Sequence, residues 1–325
     1  MGERFSVSII VPTLNSEQWI RDCLGSLTNL VFPKESVEIL VVDNGSEDRT
    51  KDLAKEYKAK VLENNNRTIS SSRNLGVKNA KGNILAFIDS DCLAPRNWLI
   101  EAMALLNGNN TGAVGAQYKL PKQTTWIERT WHLHIDKGDV AGEANWLPSC
   151  NMIVPKKYFT EVGGFREDLV TNEDIDFSRR IKATGLKIVA DPQLSVVHLR
   201  NPKTIKQFFL KELWRGKGVL QNFLGNLPEV KLNKAIGYAF FTLACLVAML
   251  TGFFYGAVGI SWIPLVTASL AMLLPGLVLA ADTAAKGNHW RYFFPLAYLY
   301  LVYGLARAVC LLDIRNWRKG ASNAG

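Results

Sequence analysis

Apolar positions follow one rhythm over the first ninety residues and another over the last ninety. The stretch FSVSIIVPT reads as a strand cut at Pro12, and residues 17–30 follow with Trp19, Ile20, Leu24, Leu27 and Leu30 on a helical period. VEILVVDNGSEDRT is a near-continuous apolar strand ending in Asp43 and a turn; residues 51–57 form a short helix, and AKVLENN is another strand. SSSRNLGVKNAKG predicts a helix stopped by Gly82, and NILAFIDSD the next strand. Apolar strands joined by helices predict a parallel sheet covered on both faces. Ligands of such sheets sit beyond the carboxyl ends of the strands.

Residues 113–200 are less regular. WLPSCNMIVPKKYF predicts a strand bearing Asn151 and then a short helix; a double-glycine turn precedes a helix from about Glu173 to Gly185, and LKIVADPQLSVVHLR lands His198 after an apolar run. TIKQFFLKELWRGKGVLQNFL then mixes Phe, Leu and Trp with Lys and Arg, as in a helix lying in a membrane interface or on an ordinary protein surface.

Farther on the polar positions vanish. Residues 235–281 hold no charged side chain, with Gly256, Gly259 and Pro264 near the middle. A span needs about 20 residues, so this run predicts two, at 236–256 and 262–281, and a third at 292–312 is broken by Arg307. A soluble helix pair of this length would carry a polar stripe; the chain reads as a membrane protein. The expected division is a catalytic domain over 1–200, a basic amphipathic segment over 201–234 and a membrane region over 235–325.

Charge sharpens this division. Of the formal +9, residues 1–199 carry a net −1, residues 200–234 a net +6 and residues 235–325 a net +4. The excess lies beside and within the membrane region rather than over a nucleic-acid-sized face, so no nucleic-acid partner is expected. The five cysteines are scattered, with no CxxC and no metal-ligand spacing, which suits a reducing compartment. The N-terminus predicts a strand rather than a signal peptide, and nothing in the sequence sets an oligomeric state.

Polar residues recur at one kind of place. Thr13 and Asn15, then Asp43, then Asp89 and Asp91 each follow the end of a strand. There is no GxGxxG and no GxxxxGK[ST], so neither a glycine-clamped dinucleotide nor a P-loop nucleotide is supported. The stretches SIIVPTLN, ILVVDNGSEDRT, SSSRNLGVKNAKG, ILAFIDSD, CNMIVPKKYFTEVGGFRED and NEDIDFSRRIKATG, with the later His198, resemble in order and spacing the inverting nucleotide-sugar glycosyltransferases of family 2. The resemblance covers roughly residues 5–200 and implies a GT-A fold, an α/β mixed sheet flanked by helices, followed here by a helical membrane region.

What the resemblance implies at the site is specific. Pro12, Thr13, Asn15 and Asp43 would hold base and ribose, Asp43 as the base-reading acceptor, although Thr13 and Asn15 also suit turn capping. Arg73 falls where a family arginine contacts base or phosphate, and Asn151 joins the donor-binding set. Asp89 and Asp91 would hold Mn2+ or Mg2+ and the ribose or a metal-bound water, with His198 approaching from the far side or serving as a structural histidine. A cation there stabilises charge on the departing diphosphate. In the ED element the aspartate usually serves as base, which favours Asp174 over Glu173; Glu173 at a helix start also suits a dipole-favoured surface acid.

Two departures narrow the activity. Leu14 replaces the usual aromatic of the first motif, and the Q-x-x-R-W spacing of processive synthases is missing between Gln207 and Trp214. The expectation is therefore transfer of a single sugar, from a UDP-sugar first of all, to a lipid or lipid-linked acceptor, with Trp214, Arg215 and Lys217 as acceptor or phosphate contacts. The alternatives are transfer to a polysaccharide end in envelope glycan synthesis and a non-catalytic regulator that binds sugar nucleotide or lipid. The +6 stretch before the first span places the catalytic part in the cytoplasm of a prokaryotic inner or plasma membrane. The same rule disfavours Arg315, Arg318 and Lys319 outside, which three full spans would require.

Overall fold

The computed structural model describes residues 6–64, 68–135, 141–169, 171–225 and 234–312. In chain order these form β1 (Val7–Thr13), α1 (Ile20–Thr28), β2 (Val37–Asp43), α2 (Thr50–Glu56), β3 (Lys60–Glu63), α3 (Ile69–Asn79), β4 (Ile84–Ile88) and β5 (Cys92–Leu93). Next come α4 (Trp98–Leu106), β6 (Thr111–Gly115), α5 (Trp126–Ile135), β7 (Gly142–Glu143), β8 (Asn151–Pro155), α6 (Lys156–Glu161), α7 (Glu173–Ala183), β9 (Lys187–Ala190) and β10 (Val197–His198). Four long helices close the described chain: α8 (Ile205–Gly225), α9 (Lys234–Ala257), α10 (Ile263–Lys286) and α11 (Phe293–Leu312).

The chain divides into two compact units, one of residues 1–122 and 136–201, the other of residues 123–135 and 202–325. The last boundary along the chain falls between residues 201 and 202. The excursion at 123–135 does not follow the expected division: α5 carries a buried Ile127 and Trp131 that cluster with residues of α8, α10 and α11.

The first unit is built on a sheet of order β3-β2-β1-β4-β8-β6-β9-β7. The first four strands are parallel, as their apolar runs predict; β8 then lies antiparallel to both β4 and β6, which makes the sheet mixed. Alternate residues feed two cores. Ile9, Val11, Val41 and Ile88 pack with α1 and α4 on one face, and Ile10, Leu40, Val42 and Phe87 with α3 and α7 on the other, so both sides of each strand must be apolar. Gly76 lets α3 close on that second face, since a Cβ there would lie 2.5 Å from Ile10 Cγ2. Pro12 does not cut β1. It stays in register with Val42 of β2, beyond the point where pairing with β4 ends at Ile10 and Phe87, and a strand with one neighbour tolerates a missing N–H.

In the second unit α9, α10 and the segment Trp290–Leu312 are each long and apolar enough to cross a membrane. The protein is thus an integral membrane protein with a separate catalytic unit. The second helix runs past its expected end at 281, taking in Asp282 and Lys286, which pair across one turn at 2.6 Å. The Tyr300 hydroxyl lies 2.8 Å from both His134 Nδ1 and Thr283 Oγ1, joining α5, α10 and α11. Arg307 of α11 is buried and ion-paired at 2.8 Å with Glu212 of α8, itself 1% exposed. The residues Arg315, Arg318 and Lys319 lie outside the described residues.

Candidate active site

The site starts where the parallel strands end. Thr13 closes β1 and pairs in register with Asp43, which closes β2. Both are buried. Asp43 Oδ2 accepts from Gly45 N at 3.1 Å and Ser46 N at 2.9 Å, while its Oδ1 and the Thr13 hydroxyl are buried with no protein hydrogen-bond partner. Buried polar atoms are normally satisfied, so adjacent orphans at two strand ends mark a place for a polar ligand. A nucleotide base, with N–H groups and carbonyls on one edge, suits an acceptor beside a hydroxyl.

Asn15 behaves differently. Its φ of 48° turns the chain after β1, its Oδ1 accepts from Glu47 N at 3.0 Å and its own N–H donates to Ser46 Oγ at 2.9 Å. Its side-chain oxygen pins one strand-end loop to the next, as the turn-capping alternative has it. Asn151 is further from its expectation. Fully buried, it accepts from Trp98 Nε1 at 2.9 Å and donates to the carbonyls of Ala116 and Leu194 at 3.0 and 2.8 Å. Those bonds occupy both amide hydrogens and the oxygen, and the residue braces the sheet instead of facing a ligand.

Arg73 also turns inward. It is 1% exposed and donates from Nη2 to Asp89 Oδ1 and from Nη1 to Glu173 Oε1, each at 2.8 Å. Arg73 thus bridges the end of β4 and the first turn of α7. Glu173 is correspondingly no exposed acid: Oε1 also accepts from Ser149 Oγ at 3.0 Å. Asp174, next along, accepts from the backbone N–H of Ile175 at 2.8 Å and from that of Ser149 at 3.4 Å. Burial first, then the Glu173 charge, pushes its carboxyl up to about 7, with Arg73 acting in the opposite sense. A carboxyl near neutrality suits proton abstraction at working pH.

Asp91 begins the turn into β5, which pairs antiparallel with β10 so that Cys92 stands opposite His198. His198 Nε2 is 3.7 Å from Asp91 Oδ1, and the Tyr118 ring lies 4.9 Å from the imidazole. Asp91, Cys92 and His198 each present a ligand atom within 4.8 Å of the other two. The donor set of carboxylate, imidazole and thiol fits a divalent first-row cation, with Asp91 and His198 as the expected holders. Asp89 gives its Oδ1 to Arg73 at 2.8 Å.

Several participants went unnoticed in the sequence. Ser149 holds both Glu173 and Asp174, and Ser16 joins Ser90, between the two aspartates, at 2.9 Å. Serines are too common for either to stand out before the fold brings them together. Trp214, Arg215 and Lys217 all lie on α8 in the second unit. Trp214 is 49% exposed, and Arg215 is bound to Glu212 at 2.7 Å.

A mixed sheet with acids at the ends of its parallel strands, an acidic pair beside a histidine and a base-like carboxyl at a helix start define a nucleotide-sugar-dependent transferase. Residues 8–166 match the family model described as glycosyl transferase family 2. That match covers just under half of the chain, and together with the fold it supports an inverting-type glycosyltransferase of this kind acting on a nucleotide-sugar donor. It is similar to glycosyltransferase AglE of Haloferax volcanii, at 26% identity over 73% of this chain and 80% of that one. It also resembles the poly(ribitol-phosphate) beta-N-acetylglucosaminyltransferase TarS of Staphylococcus aureus, at 36% identity over 32% of this chain and 19% of TarS. Among solved structures, the mannosyltransferase PcManGT from Pyrobaculum calidifontis, in complex with GDP-Man and Mn2+, superposes with a TM-score of 0.62 at 20% identity, over 96% of this chain and 88% of that one.

Proposed function

We propose that the protein transfers a single sugar from a nucleoside-diphosphate donor, a UDP-sugar first of all, to a lipid or lipid-linked hydroxyl at the membrane. Thr13 and Asp43 take the base, through the two buried atoms that lack protein partners. Asp91 and His198 hold Mn2+ or Mg2+, with Asp89 beside them on the ribose or a metal-bound water. The cation, when bound, neutralises charge that accumulates on the departing diphosphate. Mn2+ accompanies the sugar nucleotide in the PcManGT structure.

Asp174 removes the proton from the acceptor hydroxyl as its oxygen attacks the anomeric carbon from the side opposite the diphosphate. The C–O bond to the acceptor forms, the C–O bond to phosphate breaks, and no protein nucleophile intervenes. An α-linked donor therefore yields a β product. The observation that carries this reading is Asp174 at the first turn of α7 with its carboxyl raised to about 7, one residue from the glutamate that Arg73 ties to Asp89.

The lipid acceptor rests on the second unit. Three helices are able to span, and on α8 Phe208, Glu212 and Gly216 turn inward at four-residue spacing while Leu210 and Trp214 stay about half exposed. An apolar exposed face carrying Trp suits the headgroup level of a bilayer. The +6 stretch before the first span supports a cytoplasmic catalytic unit, where nucleotide sugars are made. The test is a donor screen read by nucleoside-diphosphate release with membrane lipid extract, followed by mass measurement of the product. A sugar-bearing lipid is expected; equal transfer to water-soluble sugars or polysaccharide ends after lipid removal overturns the lipid acceptor. Protease accessibility of the catalytic unit in sealed vesicles tests its side.

A further inference from the structure

We propose that the Cys92 thiolate is a third protein ligand of the cation site, so that the site selects Mn2+ and Zn2+-like ions over Mg2+. This rests on the reading of Asp91 and His198 as cation holders and adds a donor of different chemistry. The β5–β10 ribbon makes Cys92 and His198 direct cross-strand partners, and directly opposed residues send their side chains to one face of a ribbon. Asp91 is the neighbouring residue, and Cys92 Sγ lies 3.8 Å from its Oδ1. With His198 Nε2 at 3.7 Å from the same oxygen, the three ligand atoms fall within 4.8 Å of one another.

Those separations match a coordination polyhedron. Ligands about 2.0–2.3 Å from an ion at tetrahedral angles stand roughly 3.3–3.8 Å apart, so each pair through Asp91 lies within a few tenths of an ångström of that spacing. The ordinary reading of Cys92 is a buried thiol donating weakly to Asp91. Two features argue for more. The sulfur is held 3.8 Å from the carboxylate, and it stands opposite the imidazole across the ribbon. Ligation makes an S–metal bond, breaks the S–H bond and releases the proton to solvent. Mg2+ gains little from a thiolate, whereas Mn2+, Co2+ and above all Zn2+ accept one.

The experiment uses the purified full chain in detergent with Co2+ as the probe. A near-ultraviolet thiolate-to-Co2+ charge-transfer band is expected in the wild type, displaced by Zn2+ and little affected by a large excess of Mg2+. Cys92→Ala should lose the band and bind Zn2+ about tenfold more weakly or worse, about 1.4 kcal/mol, while Cys150→Ala keeps it. Co2+ bound by Asp91 and His198 without the band overturns Cys92 ligation and leaves the cation site standing. Absence of any Co2+ binding, with or without UDP, sinks both. A band that survives Cys92→Ala, or disappears only in Cys150→Ala, assigns the sulfur wrongly. Absence of the band from Co2+-loaded wild type overturns the proposal without any variant, so a variant that fails to fold does not protect it.

Discussion

Arg73 and Glu173 stand 100 positions apart in the chain and 2.8 Å apart in the fold, and the same guanidinium reaches Asp89. The bridge ties the turn at the end of β4 to the helix that presents Asp174. Breaking a buried pair by removing one partner costs about 3–5 kcal/mol because the remaining charge stays buried. Arg73→Gln should therefore lower the midpoint of denaturation markedly and reduce kcat, while Arg73→Lys recovers part of both. If Arg73 instead touched the donor, its replacement would weaken nucleoside-diphosphate binding before it touched stability. Titration calorimetry and denaturant unfolding of the same variants separate the two.

A second prediction concerns proton transfer. Asp174 must be ionised to act as base, and its carboxyl sits at about 7, so kcat should fall about tenfold per pH unit below that value. Asp174→Asn should reduce kcat by about 10²–10⁴ and abolish this limb. Stability has the opposite sign. A carboxyl raised in the folded state binds its proton more tightly there, so its contribution is present at low pH and is lost as pH rises from the usual 3.8 through about 7. Asp174→Asn should keep its melting temperature over that window while losing activity.

How much of this could be read beforehand follows the range of the interactions. Strand ends at Thr13, Asp43 and Ile88 were legible because a strand buried on both faces must be apolar throughout and change character where it emerges. The N-terminal acids of α7 were legible from local pattern as well. Arg73 was not: an arginine beside serines looks exposed until two carboxylates from distant segments meet it. The bonding of Asn151 is hidden for the same reason, since its three partners come from three other segments. Cys92 does not stand out in the sequence either, because its cross-strand neighbour His198 arrives from β10, far along the chain.

The third prediction probes the base subsite. Asp43→Ala removes both the orphaned Oδ1 and the acceptor for Gly45 N and Ser46 N. Donor KM should rise, with a smaller effect on kcat, because the base is remote from the reacting carbon and contributes equally to ground and transition states. Initial rates over a range of donor concentration distinguish this from a general loss of fold. A fall in kcat at unchanged KM would move Asp43 out of the donor site.

The membrane unit offers a fourth. Glu212→Leu leaves Arg307 buried without its 2.8 Å partner and should destabilise by about 3–5 kcal/mol. The double variant Glu212→Leu with Arg307→Leu should recover most of that loss, since a buried pair replaced by apolar residues is often neutral. Thermal aggregation in detergent reads both. A double variant as unstable as the single one would mean that the pair is held for its packing alone.

The central claim is inverting transfer from a nucleotide sugar with Asp174 as base. Its most direct measurement is proton NMR of the product formed by purified protein with Mn2+ and an α-linked donor, beside the Asp174→Asn variant. The account predicts a β-anomeric product from the wild type and about a hundredfold or greater loss in the variant. An α product, or an Asp174→Asn enzyme that turns over at the wild-type rate, contradicts it.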